Sequence, residues 1–160
     1  MKILFSNPPW WSQKISRKTN KKMSAKGVRA DSRWPFTFTC KSTFNKRDYD
    51  DYTPFPHFLA AAASYVKKFT SHQVFFRDSI ALCDSYEYFY KYLEEKNFDC
   101  IVIESQSTSW DHDKKLIEDI KLKFNKLKII LTGPVVNNYK DEDLKALRIF
   151  SACSLKYCPM

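Results

Sequence analysis

Four short stretches hold the residues best suited to grip a ligand: Asn7-Pro8-Pro9-Trp10-Trp11, Asp78-Ser79, Glu104-Ser105-Gln106-Ser107-Thr108-Ser109 and Thr132-Gly133-Pro134. Together they offer hydroxyls, amides and one glycine inside an aromatic collar. That inventory suits hydrogen bonds to a large, mostly neutral ligand with polar edges. It does not suit a polyphosphate: the chain has two glycines in all, and neither GxGxxG nor GxxxxGK[ST] occurs. Glu104 has two readings, as acceptor for a ligand amide or as partner for a loop N–H or for Arg33.

Hydrolytic chemistry finds little support. His57, His72 and His112 lie far apart in the chain. His112 stands between Asp111 and Asp113, a composition that would serve metal or acid–base work. At the start of a helix, however, those aspartates read more simply as caps and dipole partners. The five cysteines (Cys40, Cys83, Cys100, Cys153 and Cys158) form no CxxC pair and no zinc spacing. They read as reduced structural thiols. No catalytic residue and no metal ligand is assigned.

Each of the four stretches follows an apolar run, and those runs dictate the fold. Lys2–Phe5, Gln73–Arg77, Asp99–Ile103 and Lys128–Leu131 have the length and composition of buried strands. Between them lie helical patterns: an alanine-rich one from Phe58 to Lys68 opened by Pro54 and Pro56, one from about Asp84 to Lys96, and one from about Asp111 to Phe124. Asp84 with Glu87 reads as a capping box. A further helix is expected from about Asp141 to Leu147. Alternation of this kind predicts an α/β, flavodoxin-like (Rossmann-like) three-layer domain with a mostly parallel sheet. The four ligand-suited stretches then fall at the carboxyl ends of the strands, where open α/β sheets bind ligands.

Residues 1–147 are assigned to this domain and 148–160 to an irregular tail. The sheet is expected to lack or truncate its last strand: either Ile149-Phe150 is a stunted fifth strand, or the chain is a fragment or frame-shifted remnant, the reading adopted. Residues 10–53 form a long insertion after the first strand, read as loop with little regular structure. A connection of about forty residues far exceeds the usual length and is commonly functional. It holds Arg33-Trp34-Pro35-Phe36-Thr37, which would serve equally as a hydrophobic lid or as a plug. The second aromatic segment, Tyr52-Thr53-Pro54-Phe55-Pro56-His57-Phe58-Leu59-Ala60, leads into the first helix.

With 27 Lys+Arg against 18 Asp+Glu, the formal charge of +9 permits attraction to nucleic acid. The distribution argues against a specific role of that kind. One cluster, Lys14 to Arg33, sits inside the insertion and the remaining lysines scatter over helices. No run reaches the roughly 18 apolar residues of a membrane span, and no signal-peptide core opens the chain, so a soluble cytoplasmic protein is expected.

The opening strand ending in Asn7-Pro8-Pro9, the Arg33–Thr37 segment, the helix start from Pro54 to Ala60 and the exit loop from Glu104 to Ser109 together resemble one family. It is the N-terminal cobalamin-binding domain of cobalamin-dependent radical SAM proteins, and the resemblance covers roughly residues 1–147. It implies a corrinoid at the carboxyl ends of the strands. Asn7, Pro8, Pro9 and Trp10 would line the first wall. Ser107, Thr108 and Ser109 would face the cofactor tail, with Glu104, Thr132 and Gly133 beside them. In full-length relatives a linked barrel carries CxxxCxxC for an iron–sulfur cluster. This chain has no CxxxCxxC, so no iron–sulfur cluster and no radical chemistry of its own are expected. DxHxxG, whose histidine ligates cobalt from below, is also missing, so binding without a lower-face histidine is expected. The other reading is a ligand-free flavodoxin-like interaction or regulatory domain.

Overall fold

A computed structural model describes residues 1–15, 22–26, 55–138 and 150–151. Its centre is β1 (Lys2–Asn7), whose residues from Leu4 onward are buried. On one side β1 pairs in parallel with β4 (Gln73–Asp78), from Lys2↔Gln73 to Asn7↔Asp78. On the other it pairs in parallel with β5 (Cys100–Glu104), from Ile3↔Cys100 to Ser6↔Ile103. β6 (Lys128–Thr132) follows β5, and the two-residue β7 (Phe150–Ser151) lies parallel to β6. The order β4-β1-β5-β6-β7 is the flavodoxin-like order expected from the alternating pattern. The pairing Ile130↔Phe150 gives Phe150 a place as a short fifth strand.

Strand alternation sorts the side chains between two faces. Leu4, Ile101, Ile103, Ile129 and Leu131 pack against Phe89 and Leu93 of α2 (Tyr86–Lys96) and against Leu116, Ile117 and Ile120 of α3 (Trp110–Lys123). Each fully buried Leu or Ile of this layer contributes roughly 1.5–3 kcal/mol through area removed from water. The opposite face is thinner. There Phe5 and Val102 meet Leu59 and Ala63 of α1 (His57–Phe69), with Ile3, Val66, Val74 and Ile130 at the margin.

Local chemistry sets the helix ends. α1 begins after Pro56, whose ring suits the first turn. The start of α2 departs from the sequence reading: Ser85, not Asp84, caps it, its hydroxyl accepting from the Tyr88 N–H at 3.0 Å. Asp84 is drawn away by Arg77, which donates two hydrogen bonds of 2.7 and 2.8 Å to its carboxylate. A charge-assisted pair of that geometry outcompetes a single cap bond. Asn97 ends α2 in the left-handed region at φ 49°, which asparagine tolerates.

Two further elements were not expected. An antiparallel hairpin of β2 (Trp11–Ile15) and β3 (Lys22–Lys26) lies inside the span read as irregular loop. Its alternation is too polar to stand out in sequence. The second, α4 (Pro134–Asn138), starts at once after Gly133. The helix expected over Asp141–Leu147, the segment Arg33–Thr37 and the rest of the insertion lie outside the described residues.

Candidate functional site

The carboxyl edge of the sheet carries a polar row on the α1 side. Asn7, Glu104 and Thr132 each stand two residues beyond an apolar residue of that face (Phe5, Val102 and Ile130), so alternation points all three the same way. Asp78 completes the row, being paired with Asn7 as Glu104 is with Thr132. Asp78, Asn7, Glu104 and Thr132 therefore cross four adjacent strands at one level. The row includes the point where the chain reverses its direction of growth across the sheet, the usual ligand crevice of such folds.

Within the row the groups differ in what they already do. The Asn7 side-chain amide donates to Asp78 Oδ1 at 2.8 Å, and that oxygen also accepts the Ile80 and Ala81 N–H groups at 3.2 and 3.1 Å. Asp78 is thus an anchor for the turn after β4. Glu104 Oε1 accepts from Gln106 Nε2 at 3.4 Å, and both residues are buried. The Gln106 Oε1 atom is buried and has no hydrogen-bond partner among the described residues. A buried amide oxygen left in that state costs about 1–3 kcal/mol, and a ligand N–H would recover it.

Gly133 closes the row against β5. Its φ is +103°, and a Cβ there would stand 2.3 Å from the Ser105 carbonyl oxygen. Only glycine lets the β6 exit run this close to the β5 exit, where the Ser105 N–H donates to the Thr132 carbonyl at 2.8 Å.

The other side of the edge is filled by the chain itself. Ser105 and Ser109 each donate a 2.6 Å hydrogen bond to Asp113 Oδ2, and Asp113 is fully buried in the first turns of α3. These short charge-assisted bonds lock the β5–α3 loop. Asp113 is therefore an acceptor for two loop hydroxyls and not the simple cap read from sequence. Asp111 is exposed and pairs with Lys114 at 3.1 Å.

Above that lock the first exit loop crosses to α2 and α3. Trp11 donates its backbone N–H to the Tyr86 hydroxyl at 3.0 Å and its ring N–H to the Asp84 carbonyl at 2.7 Å. His112 Nε2 lies 3.1 Å from the same Tyr86 hydroxyl and 3.2 Å from the Pro9 carbonyl. A carbonyl can only accept, so the tautomer that satisfies this geometry carries its proton on Nε2. Trp10 stacks on the His112 ring at 5.8 Å. Behind the clasp, Arg77 sits over Tyr92 at 4.3 Å and Tyr88 at 5.3 Å, and its hydrogen bonds to Asp84 push its pKa above the ordinary arginine value.

The sequence-predicted residues thus divide. Asn7, Glu104, Thr132 and Gly133 come together along the edge. Pro8 and Pro9 are buried beneath the clasp, with Trp10 half-buried on top. Ser107 and Thr108 are exposed at the loop tip, while Ser109 is buried and committed to Asp113. Tyr86 and Gln106 matter more than sequence reasoning suggested. Tyr86 read as part of an amphipathic face, and nothing local marked its hydroxyl as a junction.

Among the described residues no group of three or more His, Cys, Asp or Glu side chains is arranged to hold a metal ion, and no helix is long and apolar enough to cross a membrane. Compared with protein-family models, curated proteins and solved structures, the chain has no match.

Proposed function

We propose that this chain is a ligand-binding module that holds a corrinoid along the carboxyl edge of its sheet, without a lower-face histidine from the first exit loop. One observation carries the reading: the buried, unpartnered amide oxygen of Gln106 beside Glu104, in a polar row at the switch point of a flavodoxin-like sheet. A corrinoid has a rim of acetamide and propionamide groups. Gln106 Oε1 and Glu104 would accept from such amides. Ser107, Thr108 and Thr132 would donate or accept at the periphery. The residues present therefore suit the group, and the sequence resemblance nominates it. When bound, a corrinoid supplies a cobalt centre for alkyl-group chemistry. Without CxxxCxxC, this chain's part is to bind and orient, and a radical SAM barrel is the proposed partner for any reaction.

Titration of the folded chain with hydroxocobalamin, followed in the visible spectrum, tests this. Saturable binding is expected, with the spectral change retained when His57, His72 and His112 are replaced by glutamine. Gln106→Leu should weaken binding about tenfold, the effect of roughly one hydrogen bond, and Ser107→Leu with Thr108→Leu should weaken it further. A folded chain that binds no corrinoid overturns the proposal.

A second reading, an interaction domain, is favoured by a different surface, the outer flank of α1, where Phe58, Tyr65 and Phe69 are exposed.

A further inference from the structure

Gln106 is held so that its side chain presents only one end of its amide. Its backbone N–H donates to the Ser109 hydroxyl at 3.2 Å, and its carbonyl accepts the Ser109 N–H at 3.0 Å. Ser109 is itself bonded to the fully buried Asp113, which pins this turn from below. The side-chain amide then donates from Nε2 to Glu104 Oε1 at 3.4 Å. A carboxylate can only accept, so an amide turned the other way would set oxygen against oxygen. Oε1 therefore stays on the side away from Glu104, buried and without a hydrogen-bond partner among the described residues. Glu104 is confined in turn. Its Cγ lies against Gly133, 3.3 Å from where a Cβ would stand, and it is buried.

We infer, on the corrinoid reading above, that this end of the row is a subsite selective for a carboxamide over a carboxylate. Gln106 is the contact and Glu104 its positioning residue. A ligand carboxamide donates an N–H to Oε1 and satisfies it. A ligand carboxylate has no proton to give there. It would leave Oε1 unpaired and bring a second negative charge into a buried place beside Glu104. A site built to receive a hydrogen bond discriminates strongly against an analogue that cannot donate one, because its own buried group stays unpaired.

The overall charge of the chain works the other way. At +9 it draws acidic ligands toward the protein at long range. A preference for the neutral amide is thus a property of the subsite alone. It should persist, or grow, when salt screens the long-range attraction. A corrinoid whose rim amides are free acids is the matched analogue, with the same ring and nearly the same size.

Equilibrium dialysis of the full chain against dicyanocobinamide and against dicyanocobyrinic acid, read by corrinoid absorbance near neutral pH at low and high salt, tests this. Wild type should bind the amide at least about tenfold more tightly than the acid at both salt levels, the effect of roughly one hydrogen bond. Gln106→Met keeps the length but removes the acceptor, so the ratio should fall through weaker binding of cobinamide. Glu104→Gln frees the Gln106 amide to turn and offer Nε2, so the ratio should fall through tighter binding of the acid. A Glu104 that only supported the fold would weaken both corrinoids alike and leave the ratio unchanged. That result, in a variant with an unaltered circular dichroism spectrum, overturns the inference. Equal binding of the two corrinoids by wild type, or tighter binding of the acid, also overturns it and leaves the corrinoid reading standing. A wild type that binds neither overturns both.

Discussion

Replacing Gly133 by alanine tests the geometry on which the candidate site stands. The new Cβ would lie 2.3 Å from the Ser105 carbonyl oxygen and 3.2 Å from its nitrogen, both backbone atoms that cannot swing aside. To restore ordinary contact, the β6 exit must move by about 1 Å relative to β5, since carbon–oxygen contacts open only near 3.3–3.6 Å. That movement strains or breaks the 2.8 Å bond from the Ser105 N–H to the Thr132 carbonyl, worth about 1 kcal/mol. The φ of +103° adds backbone strain of roughly 1–3 kcal/mol for any residue with a Cβ. The expected loss is therefore about 2–4 kcal/mol, a large share of the 5–15 kcal/mol that holds a typical domain.

Urea unfolding followed by circular dichroism reads this directly. With a slope of about 2 kcal/mol per molar, the midpoint should fall by roughly 1–2 M. Ser107→Ala, at an exposed tip of the neighbouring loop, should leave the midpoint unchanged. A Gly133→Ala protein within about 0.5 kcal/mol of wild type, the scatter of ordinary surface substitutions, would refute the close approach of the two strand exits. The packing of the row beside Glu104 would fall with it.

Two further expectations concern the frame behind the site. Arg77→Met leaves the buried Asp84 carboxylate without its partner and should cost about 3–5 kcal/mol; Arg77→Met with Asp84→Leu should recover most of that loss in the same urea assay. Burial, followed by the negative charge and hydrogen bond of Asp119, raises the pKa of the Tyr90 hydroxyl. A raised folded-state pKa means the folded protein keeps this proton longer than the unfolded chain. The contribution is thus complete below the unfolded tyrosine pKa of about 10 and is lost as pH climbs above it. Denaturation midpoints measured from about pH 9 to about pH 11 should fall for wild type and fall less for Tyr90→Phe; identical slopes would exclude Tyr90 as a source.

The sheet was legible because its strands are buried on both faces, so Ile101-Val102-Ile103 and Ile129-Ile130-Leu131 read as unbroken apolar runs. The helices were legible from three-to-four spacing, as with Leu116, Ile117 and Ile120. The hairpin was not, because Trp11–Ile15 and Lys22–Lys26 pair through backbone bonds between mostly polar residues. Sequence also put these loops at the carboxyl ends of the parallel strands, a placement that follows from the alternation of strands and helices. It did not reveal which hydroxyls were spoken for. Ser107, Thr108 and Ser109 look alike in a row, yet only Ser109 reaches the buried Asp113. Asp84 likewise had a cap's sequence context, and a strand residue seven positions earlier decided otherwise.

The two sides of the carboxyl edge have different tasks, and this bears on how a ligand would enter. On the α2 and α3 side, Pro9, Trp10 and Trp11 occupy the helix starts, with Tyr86 and His112 tied to them and Ser105, Ser109 and Asp113 bonded beneath. A ligand there would have to break at least three hydrogen bonds before forming its own. On the α1 side, Asp78 and Asn7 already bond to each other, but Gln106 keeps a buried acceptor without a partner among the described residues. Gain and cost therefore point the same way, toward the Glu104–Gln106–Thr132 end of the row. A ligand seated there is held by neutral amides, hydroxyls and one carboxylate, while His112 stays in its clasp with Nε2 directed at the Pro9 carbonyl. Were a corrinoid to bind there, its independence of His112 would follow from how the first exit loop folds and not only from a missing motif.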